Sequence, residues 1–117
     1  MPALSIDVQP REIPLKERFT IALETWDATH NLFVFARYGD SVGVGEAGPA
    51  GRWDEDIPRA VGDLEAVDLS RLNGPFDLEG IADLLPPGSA RCALDIALHD
   101  LAAKLAGLRL RDFLGLQ

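Results

Sequence analysis

The stretch Ser41-Val42-Gly43-Val44-Gly45-Glu46-Ala47-Gly48-Pro49-Ala50-Gly51-Arg52-Trp53 decides how this chain is read. Gly43, Gly45 and Gly48 fall on the G-x-G-x-x-G spacing of a dinucleotide-binding turn. Glu65 and Asp68 lie near the distance at which such folds carry a ribose-binding acid. That turn needs a strand before it and a helix opening at its third glycine, because the helix N-terminus holds the pyrophosphate. Here Pro49 and Gly51 follow Gly48, so the helix cannot start until about Asp54. The segment before Gly43 is the return arm of a hairpin, not the first strand of a βαβ unit. The glycines are therefore read as structural. Gly43 and Gly45 sit in a strand that another backbone or side chain approaches closely, and Gly48 to Gly51 make a loop.

Outward from that stretch, the first half of the chain reads as strands. Leu4, Ile6 and Val8 alternate with Ser5, Asp7 and Gln9, the period of a half-buried strand. Pro10 and Pro14 suit an edge position or an irregular exit. Phe19, Ile21 and Leu23 alternate with Thr20, Ala22 and Glu24 as a second strand, and Asn31 to Tyr38 is a third. Gly39-Asp40 turns the chain, and Ser41 to Glu46 runs back beside the preceding strand.

The second half reads as helices. Asp54 or Asp56 caps a helix to about Val67, with Pro58 in its first turn. Asn73-Gly74-Pro75 breaks the chain, Asp77 caps a short helix to about Leu85, and Pro86-Pro87-Gly88 stops it. Ser89 caps the strongest helix, Ala90 to Ala106. Leu94, Ala97, Leu98, Leu101 and Leu105 form its apolar stripe, widened by Ala93, Ile96, Ala102 and Ala103. Gly107 closes it, and a last turn runs from Leu110 to Leu114. Strands followed by helices predict an α+β fold: a three-stranded antiparallel meander followed by a helical bundle.

Length and composition bound the function. One domain is expected from 117 residues. The formal net charge of −8, with no basic cluster, disfavours nucleic acid and anionic membrane surfaces as partners. Cys92 is the single cysteine, so packing rather than a disulfide holds the fold, which fits a reducing cytoplasm. The N-terminal residues lack a signal-peptide pattern, and no stretch approaches the roughly 20 apolar residues of a membrane span.

Several residues resemble chemistry and are read as structure. Asp95 and His99 share a helical face as i and i+4, and Asp100 points elsewhere; two ligands without a third do not make a metal site. Asp95 and His99 are expected to hydrogen-bond, and Asp100 to cap or pair with a neighbouring segment. His30 is expected in a loop and Cys92 as a small packed residue. Glu46 is expected in an ion pair or hydrogen bond rather than in catalysis. Trp26 and Trp53 are open between core and lid.

One pattern joins both halves. The element G-x-G-E-x-x-P is Gly43, Gly45, Glu46 and Pro49, and A-L-D-x-A-L-x-D-L-x-x-K-x-x-G runs from Ala93 to Gly107. Together with Pro-Leu-Lys-Glu-Arg-Phe-Thr-Ile-Ala from Pro14 to Ala22, the order resembles the N-terminal capping domain of the enolase superfamily. The muconate-cycloisomerase-like branch, and its dipeptide (L-Ala-D/L-Glu) epimerases, are the most similar. The resemblance covers essentially residues 1–117 but only the first third of a typical family member.

That resemblance implies a division of labour. The chemistry would lie on a (β/α)₈-type barrel outside this chain. There, lysines abstract the proton alpha to a carboxylate, and three carboxylates hold Mg²⁺, which stabilises the enolate. Neither Lys16 nor Lys104 matches a catalytic position, so no catalytic residue and no metal ligand is assigned here. The capping domain would supply two loops that read the substrate, about Leu15 to Thr25 and about Ala47 to Trp53. Arg18 and Phe19 in the first, and Pro49, Arg52 and Trp53 in the second, are the substrate-binding expectations. The implied partners are the barrel of the same polypeptide, a small carboxylate or dipeptide substrate, and a second copy of the chain through the long helix or a strand edge. Muconate cycloisomerase, acylamino-acid racemase and o-succinylbenzoate synthase share the cap pattern. A stand-alone, self-associating interaction domain is the reading from a different class.

Overall fold

The structure, a computed structural model, describes residues 2–21, 24–48 and 56–116, with the backbone alone at 13, 15–21 and 24–29. Three strands form one antiparallel sheet in the order β1 (Ser5–Ile21), β2 (Glu24–Tyr38), β3 (Ser41–Ala47). Two α-helices, α1 (Ile57–Glu65) and α2 (Ser89–Leu105), and a terminal turn, α3 (Leu110–Phe113), follow, with two short 3₁₀ turns between α1 and α2. This is the α+β meander and helical layer that the patterning predicts.

The strand boundaries differ from the sequence reading on both sides of the β1–β2 joint. The expected first strand and Phe19 to Ile21 of the second belong to a single long β1, Glu24 opens β2, and Ala22 and Leu23 lie outside the described residues. The break between the two expected strands is a bulge rather than a turn. Pro14 pairs with Ala28 and Phe19 with Trp26, so residues 15–18 face residue 27 alone. The stretch expected as a loop from Leu15 is therefore strand as far as Ile21. Its β-branched and aromatic residues extend the ladder once the bulge absorbs the extra residues. Pro10 and Pro14 lie on β1, which pairs with β2 alone, so a missing N–H on the free side costs no ladder bond.

Alternation sorts the sheet into two faces. Leu32, Val34 and Ala36 of β2 point inward and are wholly buried. They meet Ala93, Leu94, Ala97, Leu98 and Leu101 of α2, and Ala60 and Leu64 of α1, in one core. Burying each leucine contributes about 1.5–3 kcal/mol, and the small alanines set how near α2 lies. Ile96, expected in the apolar stripe, is instead 42% exposed.

The helix ends follow the sequence in part. Asp56 caps α1 by accepting from the Arg59 N–H at 2.7 Å, with Pro58 in the first turn. Asp54 lies outside the described residues. Asp77 accepts from the N–H groups of Asn73 and Gly80 and so braces the second 3₁₀ turn, Glu79–Asp83. Gly88, not Ser89, holds the cap position of α2, and Ser89 is its first residue. At the far end Gly107 takes φ 71°, with Leu108 N–H donating to Ala103 O at 2.9 Å and Gly107 N–H to Lys104 O at 3.1 Å. That six-to-one closure needs a left-handed residue, which glycine adopts without penalty.

Candidate functional site

Gly43 and Gly45 lie on the inner face of β3, against α2. A Cβ built on Gly43 would stand 2.2 Å from Ala97 O and 2.4 Å from Leu101 N. On Gly45 it would stand 2.0 Å from Ala93 O and 2.6 Å from Ala97 N. No side chain fits there, so the glycines seat a helix backbone against a strand backbone. The spacing of Gly43 and Gly45 serves this packing, and Gly48 lies just past the end of β3 beside the Asn31 side chain.

Polar side chains of α2 complete the same contact. β3 pairs with β2 on one side only, leaving its outer N–H and C=O groups open. Asp100 accepts from the Val44 N–H at 2.9 Å, and Lys104 donates to Val42 O at 2.8 Å. Asp100 and Lys104 also pair with each other at 3.0 Å. The two side chains thus cover the β3 edge, as the expectation for Asp100 required. Glu46 is held by Asn31, whose Nδ2 donates to Oε2 at 2.6 Å. This is the hydrogen bond expected of it.

The Asp95–His99 pair is also structural. His99 Nδ1 lies 2.9 Å from Asp95 O and 3.1 Å from its carboxylate, so a proton on Nδ1 is donated back within the helix. Among the described residues no three His, Cys, Asp or Glu side chains converge as a metal set. Among the described residues none is therefore assigned to the Mg²⁺ that the resemblance implies. Two expectations fail. His30 lies within β2, opposite Glu12, rather than in a loop, because the ladder extends past Asn31 toward the bulge. Cys92 is exposed rather than packed, since α2 buries Ala90, Ala93 and Leu94 and turns position 92 outward.

The substrate-reading expectations fall partly beyond the described residues. Pro49, Arg52 and Trp53 lie outside them. Arg18 falls in the bulge of β1, and Phe19 pairs with Trp26 in backbone register; the side chains of all three lie outside the description. What is described is the frame. β3 ends at Ala47, and Asp56 caps α1. A cleft of about 410 Å³ borders that second end, lined by Asp56, Arg59, Asp63 and the Pro86–Ala90 segment. Sequence reading missed this cleft, because it joins the starts of two helices about 30 residues apart. Asp68, beside it in sequence but exposed, has its carboxyl held below the usual aspartate value by the Ser70 hydroxyl and then the Ser70 N–H.

Comparison with known proteins gives this frame a context. The family described as "Mandelate racemase / muconate lactonizing enzyme, N-terminal domain" matches residues 5–115. An L-Ala-D/L-Glu epimerase of Bacteroides thetaiotaomicron is 36% identical over 103 residues, covering 84% of this chain and 27% of that protein. An L-Lys-D/L-Arg epimerase of Desulforapulum autotrophicum is 32% identical over 119 residues, covering 94% and 34%. Among solved structures, an enolase family member from Agrobacterium tumefaciens with bound sodium and L-Ala-L-Glu aligns with a TM-score of 0.86 at 28% identity, over 98% of this chain and 35% of that one. A dipeptide epimerase from Methylococcus capsulatus, complexed with Mg and L-Arg-D-Lys, aligns with a TM-score of 0.77 at 33% identity, over 98% and 35%. The chain thus spans about a third of the length of the relatives it matches.

Proposed function

Since this chain belongs to the mandelate racemase / muconate lactonizing enzyme N-terminal domain family, we propose that it is the substrate-capping domain of a Mg²⁺-dependent dipeptide epimerase. The observation that carries this reading is the agreement of fold and sequence with dipeptide epimerases over nearly all of the chain. The reaction is proton abstraction alpha to a carboxylate, on a barrel that holds the metal, with this domain excluding water and gripping the distal end of the substrate. Such a lid turns over nothing by itself. Residues 1–117 act as one capping unit in a cytoplasmic enzyme.

Substrate contacts are assigned to Arg18, Phe19, Pro49, Arg52 and Trp53. An arginine pairs bidentately with a carboxylate, and the indole of Trp53 offers an apolar wall. The bulge at 15–18 supports the first group, because bulges re-aim side chains. The exposed Leu108, Leu114 and Leu116 near the end of the chain are the surface this domain offers to the barrel. Copies of the protein also associate with one another.

The test is α-proton exchange. The complete product of the natural gene, with Mg²⁺ in D₂O, is given a panel of L,L-dipeptides, and loss of the α-proton signal is followed by NMR. Exchange confined to dipeptides supports the reading. Exchange of N-acylamino acids alone, or cycloisomerisation of muconate, would replace it with another activity of the same branch.

A further inference from the structure

Three strands share the sheet only as far as the row of Leu32. Leu32 pairs with Ala47, the last pair of the β2–β3 ladder, and β3 ends there. From Asn31 onward β1 and β2 run as a two-stranded ribbon, through the bulge, to Ile21 and Glu24. The two stretches assigned to substrate therefore part at one place. Arg18 and Phe19 belong to the ribbon, and Pro49, Arg52 and Trp53 follow the end of β3 in sequence.

The last ladder pair is held from both faces of the sheet. On the inner face Leu32 and Ala47 are buried in the core. Asn31 and Glu46 are on the outer face by alternation, and their bond crosses the ladder diagonally. Glu46 stands opposite Phe33, two residues from Asn31, and Asn31 Nδ2 donates to Glu46 Oε2 at 2.6 Å. The other end of the same amide faces the next turn of the chain. A Cβ built on Gly48 would lie 3.5 Å from Asn31 Oδ1, so one side chain of β2 touches both Glu46 and Gly48. Arg11, opposite Asn31 on β1, bonds Gln9 within its own strand, so the hold on Glu46 comes from β2.

Exposure separates stability from direction at this brace. Asn31 is half-buried and Glu46 is exposed, and a hydrogen bond exchanged against water adds little to global stability. Its geometric effect is larger. The ladder to β2 stops at Ala47, so groups at the last pair set the course on which the chain leaves the sheet. Pro49 is the residue after Gly48, and a tilt at Gly48 carries into everything that follows. A misplacement of about 1 Å in a substrate-positioning element can cost on the order of a hundredfold in rate.

We propose that Asn31 is a positioning residue: by bridging Glu46 and Gly48 it fixes the exit of the chain from β3, and with it the substrate contacts that follow. The proposal rests on the reading of this domain as a substrate cap. Asn31 itself touches no substrate. The brace precedes the contacts and does not choose among dipeptides, so its loss weakens the binding of all of them alike.

The complete product of the natural gene, with Mg²⁺, tests this by steady-state epimerisation of dipeptides and by amide hydrogen exchange of the Glu46–Gly48 segment. Circular dichroism checks the fold of each variant. Asn31→Ala is expected to raise KM about fivefold to tenfold with kcat within about twofold of the parent, and to speed exchange of the segment about tenfold. Glu46→Ala is expected to do the same. The double variant should be no more than about twofold worse than either single one, because all three remove one bond. Glu46→Gln keeps an acceptor for Asn31 Nδ2 and should stay within about twofold of the parent in both measurements. A role in stability alone would lower Tm and leave KM where it was. An unmoved KM in Asn31→Ala, whatever the exchange rate, would overturn the proposal, and so would losses that multiply in the double variant. A parent that epimerises no dipeptide would overturn the enzymatic reading instead. Exchange then judges the brace by itself, and an unchanged rate in Asn31→Ala would overturn it.

Discussion

Replacing Gly45 by alanine puts one methyl group where two backbones meet. The new Cβ would stand 2.0 Å from Ala93 O and 2.6 Å from Ala97 N, and both are main-chain atoms of a helix. Neither can rotate away as a side-chain tip would. Ordinary contact needs about 3.4 Å or more, so α2 and β3 must separate by roughly 1.4 Å. A gap of about 1 Å already forfeits up to half of a contact well, and α2 supplies much of the core. Overpacking alone costs about 1–3 kcal/mol, and the lost contacts of the displaced α2 bring the total to about 3–5 kcal/mol. A domain of this size has about 6–18 kcal/mol in all, and each kcal/mol moves Tm by about 3–6 °C. The expected fall is therefore about 9–30 °C, with a matching drop in the urea midpoint. Urea titration and thermal scans followed by circular dichroism measure both. Gly62→Ala is the control, because its Cβ meets nothing within 4 Å on the exposed side of α1. It should gain about 0.5–1 kcal/mol. If Gly45→Ala stays within about 0.5 kcal/mol of the parent, the glycines are not a helix seat and the reading of the opening stretch is wrong.

Two smaller effects accompany it. Asp100→Ala removes the acceptor for the Val44 N–H and should cost about 1 kcal/mol in urea titration. Asp100→Asn keeps an acceptor and loses only the partly exposed Lys104 pair, so it should cost a few tenths of that; equal losses would refute the edge-covering role. Asp68 should titrate below an ordinary aspartate, because the Ser70 hydroxyl at 2.5 Å and the Ser70 N–H favour its ionised form. Its folded pKa is depressed, so its contribution to stability is present above the unfolded pKa and is lost as pH falls through the folded one. Carboxyl-carbon NMR should show the Asp68 titration moving up in Ser70→Ala, and an unmoved midpoint would refute the cause.

Alternation made the sheet legible, and the small-residue stripe of α2 made its partner legible. What could not be read was the joint between Pro14 and Phe19. A bulge that sets residues 15–18 against residue 27 depends on the pairing partner, and no local pattern in β1 encodes it. His30 was misplaced for the same reason, since its strand status comes from Glu12 across the ladder. Cys92 shows a different limit. Residue type favours burial for cysteine, but the face of α2 is fixed by Ala93 and Ala97 against the glycines, and that choice turns position 92 outward.

The two motifs that carry the family resemblance lie apart in sequence and touch in space. Gly43 and Gly45 receive Ala93, Ala97 and Leu101, while Asp100 and Lys104 reach back to Val44 and Val42. G-x-G-E and D-L-x-x-K are therefore two halves of one contact, the one that locks the strand layer to the helix layer. A contact of that kind constrains volume and edge hydrogen bonds, and it is indifferent to what the enzyme turns over. That is why the resemblance reaches the fold with certainty and stops short of the substrate. Replacing Asp100 and Lys104 together by alanine should therefore lower stability, because both bonds to the β3 edge are lost, and leave substrate preference alone.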